Sequence, residues 1–450
     1  MNINNLQFRL QEALADVTDT TDYLLLAKTI QTLNVGQIRS VSTFANLPSA
    51  ATNTGMLYWV QADERLYWST GTVWYFLSQV LSSARAWGLN FQGQLGDGTY
   101  GSCVTSPKSV LGVFTDWCQV STGRVHSLGV RTNGTAWSWG YGYQGQLGIG
   151  TVGIRTSPVS VVGGFTDWRQ VSAGSGNHSL GVRTNGTAWT WGCNGFGRLG
   201  DGTTVNRSSP VSVIGGFTDW CQVSAGLFHS LGVRTNGTAW AWGSNSNPGV
   251  GFDAEGELGD GTTVDRSSPV SVVGGFTNWC QVSAGSAHSL GVRTNGTAWA
   301  WGANAYTGQA GNNTNATNSS PVSVVGGFTD WCQVSAGFRF SLGVRTNGTA
   351  WAWGYNSVGQ LGNNTYAGTS SPVSVVGGFT NWCQVSAGGD HSIGVRINGT
   401  AWTWGCNDVN QLGDNTTINR SSPVSVIGEI TNWCQVSAGY KSNIAIRRIG

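Results

Sequence analysis

Five histidines are the side chains best suited to acid–base or metal chemistry, and all five, His126, His178, His229, His288 and His391, occupy one context. Each follows an Ala-Gly or Thr-Gly pair by a few residues and directly precedes Ser-(Leu/Ile)-Gly. Imidazoles repeated at one position could hold a metal or serve as bases. Phe340 and Ser442 fill the same slot in two further copies, which a ligand ring would not accept. The histidines are therefore read as imidazoles bonded to nearby backbone and packed between repeated units. Asp253, Glu255, Glu257 and Asp260 gather acid in one stretch. They lack the alternating order of a calcium loop, so a solvated loop is expected. Gly140-x-Gly142-x-x-Gly145 matches a dinucleotide fingerprint in letters only, because no helix follows. No Ser-His-Asp or paired-carboxylate spacing recurs. The chain is expected to be no enzyme and to need neither metal nor cofactor.

Nine cysteines are an odd number, and six stand in W-C-Q, at Cys118, Cys221, Cys280, Cys332, Cys383 and Cys434, with Arg169 in the equivalent place of another copy. One repeat apart, they lie beyond disulfide reach and are expected as small buried residues. Charged residues make up 10% and net charge is +2, so no electrostatic footprint for nucleic acid is present. No apolar run reaches the roughly 18 residues of a membrane span, and the first residues lack the pattern of a secretory leader. Neither nucleic acid nor membrane insertion is expected.

The elements that carry these residues repeat. The tryptophan of T-(D/N)-W recurs at Trp117, Trp168, Trp220, Trp279, Trp331, Trp382 and Trp433, and that of W-G at Trp87, Trp139, Trp191, Trp242, Trp301, Trp353 and Trp404. Both series count seven, which makes an internal array the primary signal. Each unit divides into four short strands: A (Q-V-S-A), B (S-L-G-V-R), C (A-W-x-W-G) and D (P-V-S-V-V). An Asn-Gly between B and C predicts a type I′ hairpin. Seven prolines, Pro107 to Pro423, open strand D and mark it as the outer edge. Four strands repeated radially make a propeller. The first copy begins within strand C near residue 84 and the last ends after strand B. Residues 84–113 and 431–450 should thus complete one composite blade.

These motifs, A-G-x-x-H-S-L, A-W-x-W-G and N-x-x-G-Q-L-G, resemble the regulator of chromosome condensation repeat. The resemblance covers residues 84–450 and implies an all-β, seven-bladed propeller with two-plus-two closure. Residues 1–80 differ in composition. They predict a small α+β module, two short amphipathic helices followed by a three-strand β-meander over residues 55–77. This segment resembles attachment modules of bacteriophage tail fibres, which implies docking to other virion proteins.

Strand direction puts the A-to-B turns and C-to-D loops on one face, called the top, and the T-N-G-T hairpins on the bottom. Among the seven copies the bottom segments are nearly identical while the top ones vary. Variable loops on a constant frame point to a binding face. It comprises Arg124, Tyr141, Tyr143, Asn177, Phe196, Arg198, Leu227, Phe228, Tyr306, Phe338, Arg339, Tyr355, Asp390, Tyr440 and Lys441. The leading expectation is a virion appendage binding a host-surface protein or glycan, with self-association an open alternative. The competing one is a protein-interaction scaffold, nucleotide-exchange factor or inhibitor acting through one propeller face in the cytoplasm. Light-sensing members of this fold would need tryptophan between A-G and the histidine slot, and no copy has one.

Overall fold

The computed structural model describes residues 81–449 apart from 113, 247–255, 306 and 429, together with Ser49 and the backbone of four strands at Arg39–Val41, Leu57–Val60, Arg65–Ser69 and Trp74–Phe76. The chain divides into two compact units, residues 1–81 with Gly450, and residues 82–449. In the first, the three expected strands pair antiparallel and Arg39–Val41 adds a parallel fourth. The expected helices lie outside the described residues.

The second unit is seven four-stranded antiparallel sheets. In blade 1, strand A is Trp117–Thr122, B His126–Arg131, C Ala136–Gly140 and D Arg155–Ser160. Blades 2 to 6 follow in chain order. Blade 7 is composite: Trp433–Ala438 and Ser442–Ile449 lie beside Leu81–Leu89 and Cys103–Ser109. Each junction buries one apolar cluster. Between blades 1 and 2, Leu128, Val130 and Ala136 meet Trp168, Val171, Ala173 and Trp191. Each large side chain so buried contributes about 1.5–3 kcal/mol.

Strand A lies innermost, and its glutamine makes a polar clasp. Gln119 Nε2 donates to Val171 O at 2.9 Å while Val171 N donates to Gln119 Oε1 at 2.8 Å. The same pair of bonds recurs at every junction, including the closing one from Gln435 to Val120. A side-chain amide thus stands in for a neighbouring strand across each gap. Ser121 and its copies accept a second bond from the next blade, Ala173 N at 3.0 Å in the first case.

Four local expectations are corrected. The W-C-Q cysteines are not uniformly buried: Trp117 pairs with Arg131 and Gln119 with Val130, so Cys118 is the extra residue of a β-bulge. Cys118, Cys280, Cys332 and Cys383 are exposed and Cys221 and Cys434 half-buried, all outside any disulfide. In the B-to-C hairpin only the glycine has positive φ, Gly134 at 75°. Gly134 N bonds Arg131 O at 2.8 Å, which is a turn followed by a left-handed glycine rather than type I′. Strand D begins three residues before its proline, and Pro158 sits where register shifts between Arg155 and Val159. Four histidines bond a serine of the next blade, and His391 an asparagine, rather than backbone.

Candidate binding face

His126 Nε2 lies 2.9 Å from Ser179 Oγ, and Ser179 Oγ donates its one proton to Gln146 O at 2.8 Å. The serine must therefore accept, which assigns the proton to Nε2. The arrangement repeats for His178, His229 and His288, while His391 bonds Asn443 Oδ1. Every Nδ1 is buried without a partner. Burial lowers the pKa of His126, His229 and His288 to about 3 and that of His391 to about 4; His178 is also lowered, by burial first and then by Arg198. These are neutral frame residues.

Each Ala-Gly turn packs its glycine on the next blade's glycine carbonyl. A Cβ on Gly388 would lie 2.5 Å from Gly439 O, and one on Gly439 would lie 2.2 Å from Gly123 O. This ring narrows the axis on the top side to a cavity of about 40 Å³ lined by Ser286, Phe338, Tyr440 and the turn glycines. That volume suits ordered water and is far below an organic ligand pocket.

The A-to-B turns and C-to-D loops share this face. Tyr141 N bonds Val125 O, and Leu89 N bonds Lys441 O. On the opposite face Trp168 N bonds Gly134 O of the neighbouring hairpin, and Arg131, Arg183, Arg234 and Arg345 pair with aspartates at 2.7–2.8 Å. The expected site residues fall into three groups. Near the axis, Arg124 stacks on Tyr440, Phe338 meets the edge of Tyr440, and Arg339 lies between Phe338 and Tyr355. Burial raises the pKa of Asp390 in this group, partly offset by Arg339 and Lys441. Lys441 is paired with Asp408. Burial alone would raise the Asp408 carboxyl, but the Lys441 and Gln411 hydrogen bonds hold it below its usual value. A second group is Tyr141 with Tyr143, ring centroids 5.3 Å apart. The third is Phe196 with Phe228, centroids 5.9 Å apart, beside Asn177, Arg198 and Leu227.

Two of these residues are largely closed off from solvent. Leu227 is buried, and Arg198 is 4% exposed. Arg198 donates to Gly195 O, Gly176 O and Leu227 O and clips the turns of blades 2 and 3 together. Tyr306 lies outside the described residues, as do Asp253 and Glu255. Asp260 serves its own loop, bonding Asn245, Thr262 and Arg266, and Glu257 is buried. Further exposed side chains of the C-to-D loops lie outside the expected set. Phe91, 53% exposed, occupies the loop position of Tyr143, three residues before the Gln of G-Q-L-G. Tyr100, Val152, Val205, Val264, Tyr366 and Ile418 project from the following stretch of the same loop in six blades. The signal was present in the sequence as one apolar residue shortly after each G-T or N-T.

Residues 173–450 match the family model of the RCC1-like domain, and residues 133–182 and 117–146 match models of the Regulator of chromosome condensation (RCC1) repeat. The ultraviolet-B receptor UVR8 of Arabidopsis thaliana is 28% identical over 338 residues, 73% of this chain and 74% of the relative. The E3 ubiquitin-protein ligase HERC2 of Homo sapiens is 27% identical over 376 residues, 80% of this chain but 7% of that much longer protein. Two solved structures share the fold at a TM-score of 0.72. Human WBSCR16, 19% identical, is matched over 82% of this chain and 99% of its own. Prp20p from Saccharomyces cerevisiae, 20% identical, is matched over 83% and 93%.

Proposed function

Because the chain belongs to the RCC1-like family of β-propellers, we propose that it is a protein-interaction module whose partner docks on the top face. The observation that carries this reading is the confinement of difference to one side of the disc. Six B-to-C hairpins keep N-G-T unchanged, while the A-to-B turns run through Arg124-Val125, Leu227-Phe228, Ser286-Ala287, Phe338-Arg339, Gly389-Asp390 and Tyr440-Lys441. The axial cavity is too small for a substrate, which favours a surface partner over a small molecule. The aromatic and arginine content of the face is that of protein-binding hot spots.

The relatives support the same reading by analogy. Prp20p has binding properties to Gsp1p and histones, and UVR8 is a receptor. No protein named above is a virion component, so the host-adhesin expectation yields to its alternative. Light sensing is not proposed, since tryptophan is missing before every histidine slot.

The test is cross-linking mass spectrometry in the source cells with two variants. One replaces Arg124, Phe338, Arg339 and Tyr440 by alanine, and the other replaces the exposed Thr235 and Thr346 of the bottom hairpins. The proposal expects the cross-linked partner to vanish with the first variant and persist with the second. Loss with the second alone would refute it.

A further inference from the structure

One junction departs from the frame that the other blades share. Between Gly174 and His178, blade 2 carries one residue more than its siblings. The Gln slot of G-Q-L-G holds Arg198, where five blades keep glutamine. At six blades the second tryptophan of strand C donates its Nε1 to the carbonyl of that slot in the preceding blade. Trp242, which faces Arg198, is buried without that bond. Five A-to-B turns bond the next blade's glycine carbonyl, as Leu227 N does Gly285 O. Among the described residues the turns of blades 1 and 2 make no such bond.

Two residues of this junction also have left-handed backbone, Asn177 at φ 61° and Phe196 at φ 66°. Asparagine tolerates that conformation, but a bulky aromatic adopts it only when its surroundings impose it. The strain presents something specific. Phe196 is 39% exposed and meets Phe228 edge to face. Beneath both lies the Arg198 guanidinium, 5.7 Å from one ring centroid and 5.0 Å from the other. Among the described residues no carboxylate pairs with it. Three carbonyls and two ring faces are its compensation. A buried cation without an anion leaves a positive potential under an apolar surface.

We infer that Phe196, Phe228 and Arg198 form the anchor of the top face, taking from the partner an aromatic or aliphatic side chain that has a carboxylate next to it. This rests on the proposed function and names its recognition chemistry. The rings supply desolvated area, and the charge beneath selects the acidic neighbour. Phe196 is strained in the free protein because presentation, not folding, requires it.

The test uses a random 12-residue peptide library displayed on phage, selected on the full chain, with the enriched peptides then synthesised. Enriched sequences should pair Phe, Trp, Tyr or Leu with an adjacent Asp or Glu. Their affinity should fall at least tenfold on Phe228→Ala and on Arg198→Gln, the residue native to five other blades. Salt should weaken binding to the native chain more than to Arg198→Gln. Phe196→Gly should weaken binding while raising the urea midpoint, an outcome opposite to that of a purely structural phenylalanine. Failure to enrich any such peptide, or a lowered midpoint for Phe196→Gly, overturns the inference. Peptides sensitive to Phe338 and Tyr440 but indifferent to Arg198→Gln would overturn it while sparing the proposed function. Peptides lost only on changing Thr235 and Thr346 would overturn both.

Discussion

Mild acid should unfold this propeller through its histidines. His126, His229 and His288 have folded pKa values near 3 and His391 near 4 because burial disfavours the imidazolium; the unfolded reference is about 6.5. A group depressed on folding binds fewer protons in the native state, so stability is complete above about pH 6.5 and falls as pH drops toward the folded value. At pH 5.5 each histidine removes about 1.4 kcal/mol, from RT ln(1 + 10). These four together remove about 6 kcal/mol, comparable with the whole stability of an ordinary domain, and His178 is lowered in the same direction. Urea denaturation followed by tryptophan fluorescence between pH 7.5 and 4.5 measures this, above the range where Asp201, Asp260 and Asp414 titrate. Blade 5 supplies the control, since Phe340 fills the same slot fully buried. Replacing all five histidines by phenylalanine should flatten the profile, and His288→Phe alone should remove about one fifth of the slope. A flat profile in the native chain, or an unchanged slope in the fivefold variant, would refute the reasoning.

Gln281→Met removes two bonds across one junction and should cost about 1–3 kcal/mol; Gln435→Met should cost the same within error, because the closing junction repeats the clasp, and urea titration compares them. Gly388→Ala drives a methyl into Gly439 O and the His391 ring and should lower stability by more than about 2 kcal/mol, with loss of near-ultraviolet circular dichroism as the readout. Asp219→Asn should change the melting temperature little, since Asn278 accepts the same 2.7 Å bond from Arg293 in another blade and exposed ion pairs contribute about 0–1 kcal/mol.

Much of the fold was legible because a tryptophan every fifty-odd residues leaves few alternatives. The strand order, the composite blade and the two faces all follow from the phase of that repeat. What escaped was local. A bulge at Cys118 turns a residue that composition marks as buried toward solvent, and bulges carry no signature in one chain. The N-G-T hairpin satisfies Asn133 through its own Thr135, whose N–H and hydroxyl both reach Asn133 Oδ1, so the asparagine needs no positive φ. Variability located the binding face but could not separate presented residues from buried ones: Arg198 and Leu227 vary because their junction is irregular. Phe91 lies in the first copy, which begins within strand C and so has no A-to-B turn ahead of it in the sequence to mark its loop.

The clasp from Gln435 to Val120 has one more implication. The first and last strands of the propeller, Leu81–Leu89 and Ser442–Ile449, lie side by side in blade 7, yet the bonds sealing that place are those found between blades joined by continuous backbone. The place at which backbone enters the ring is thus immaterial to the finished wheel. A circular permutant of residues 82–449, opened at any N-G-T hairpin and with residues 449 and 82 bridged by a linker, should regain the same architecture.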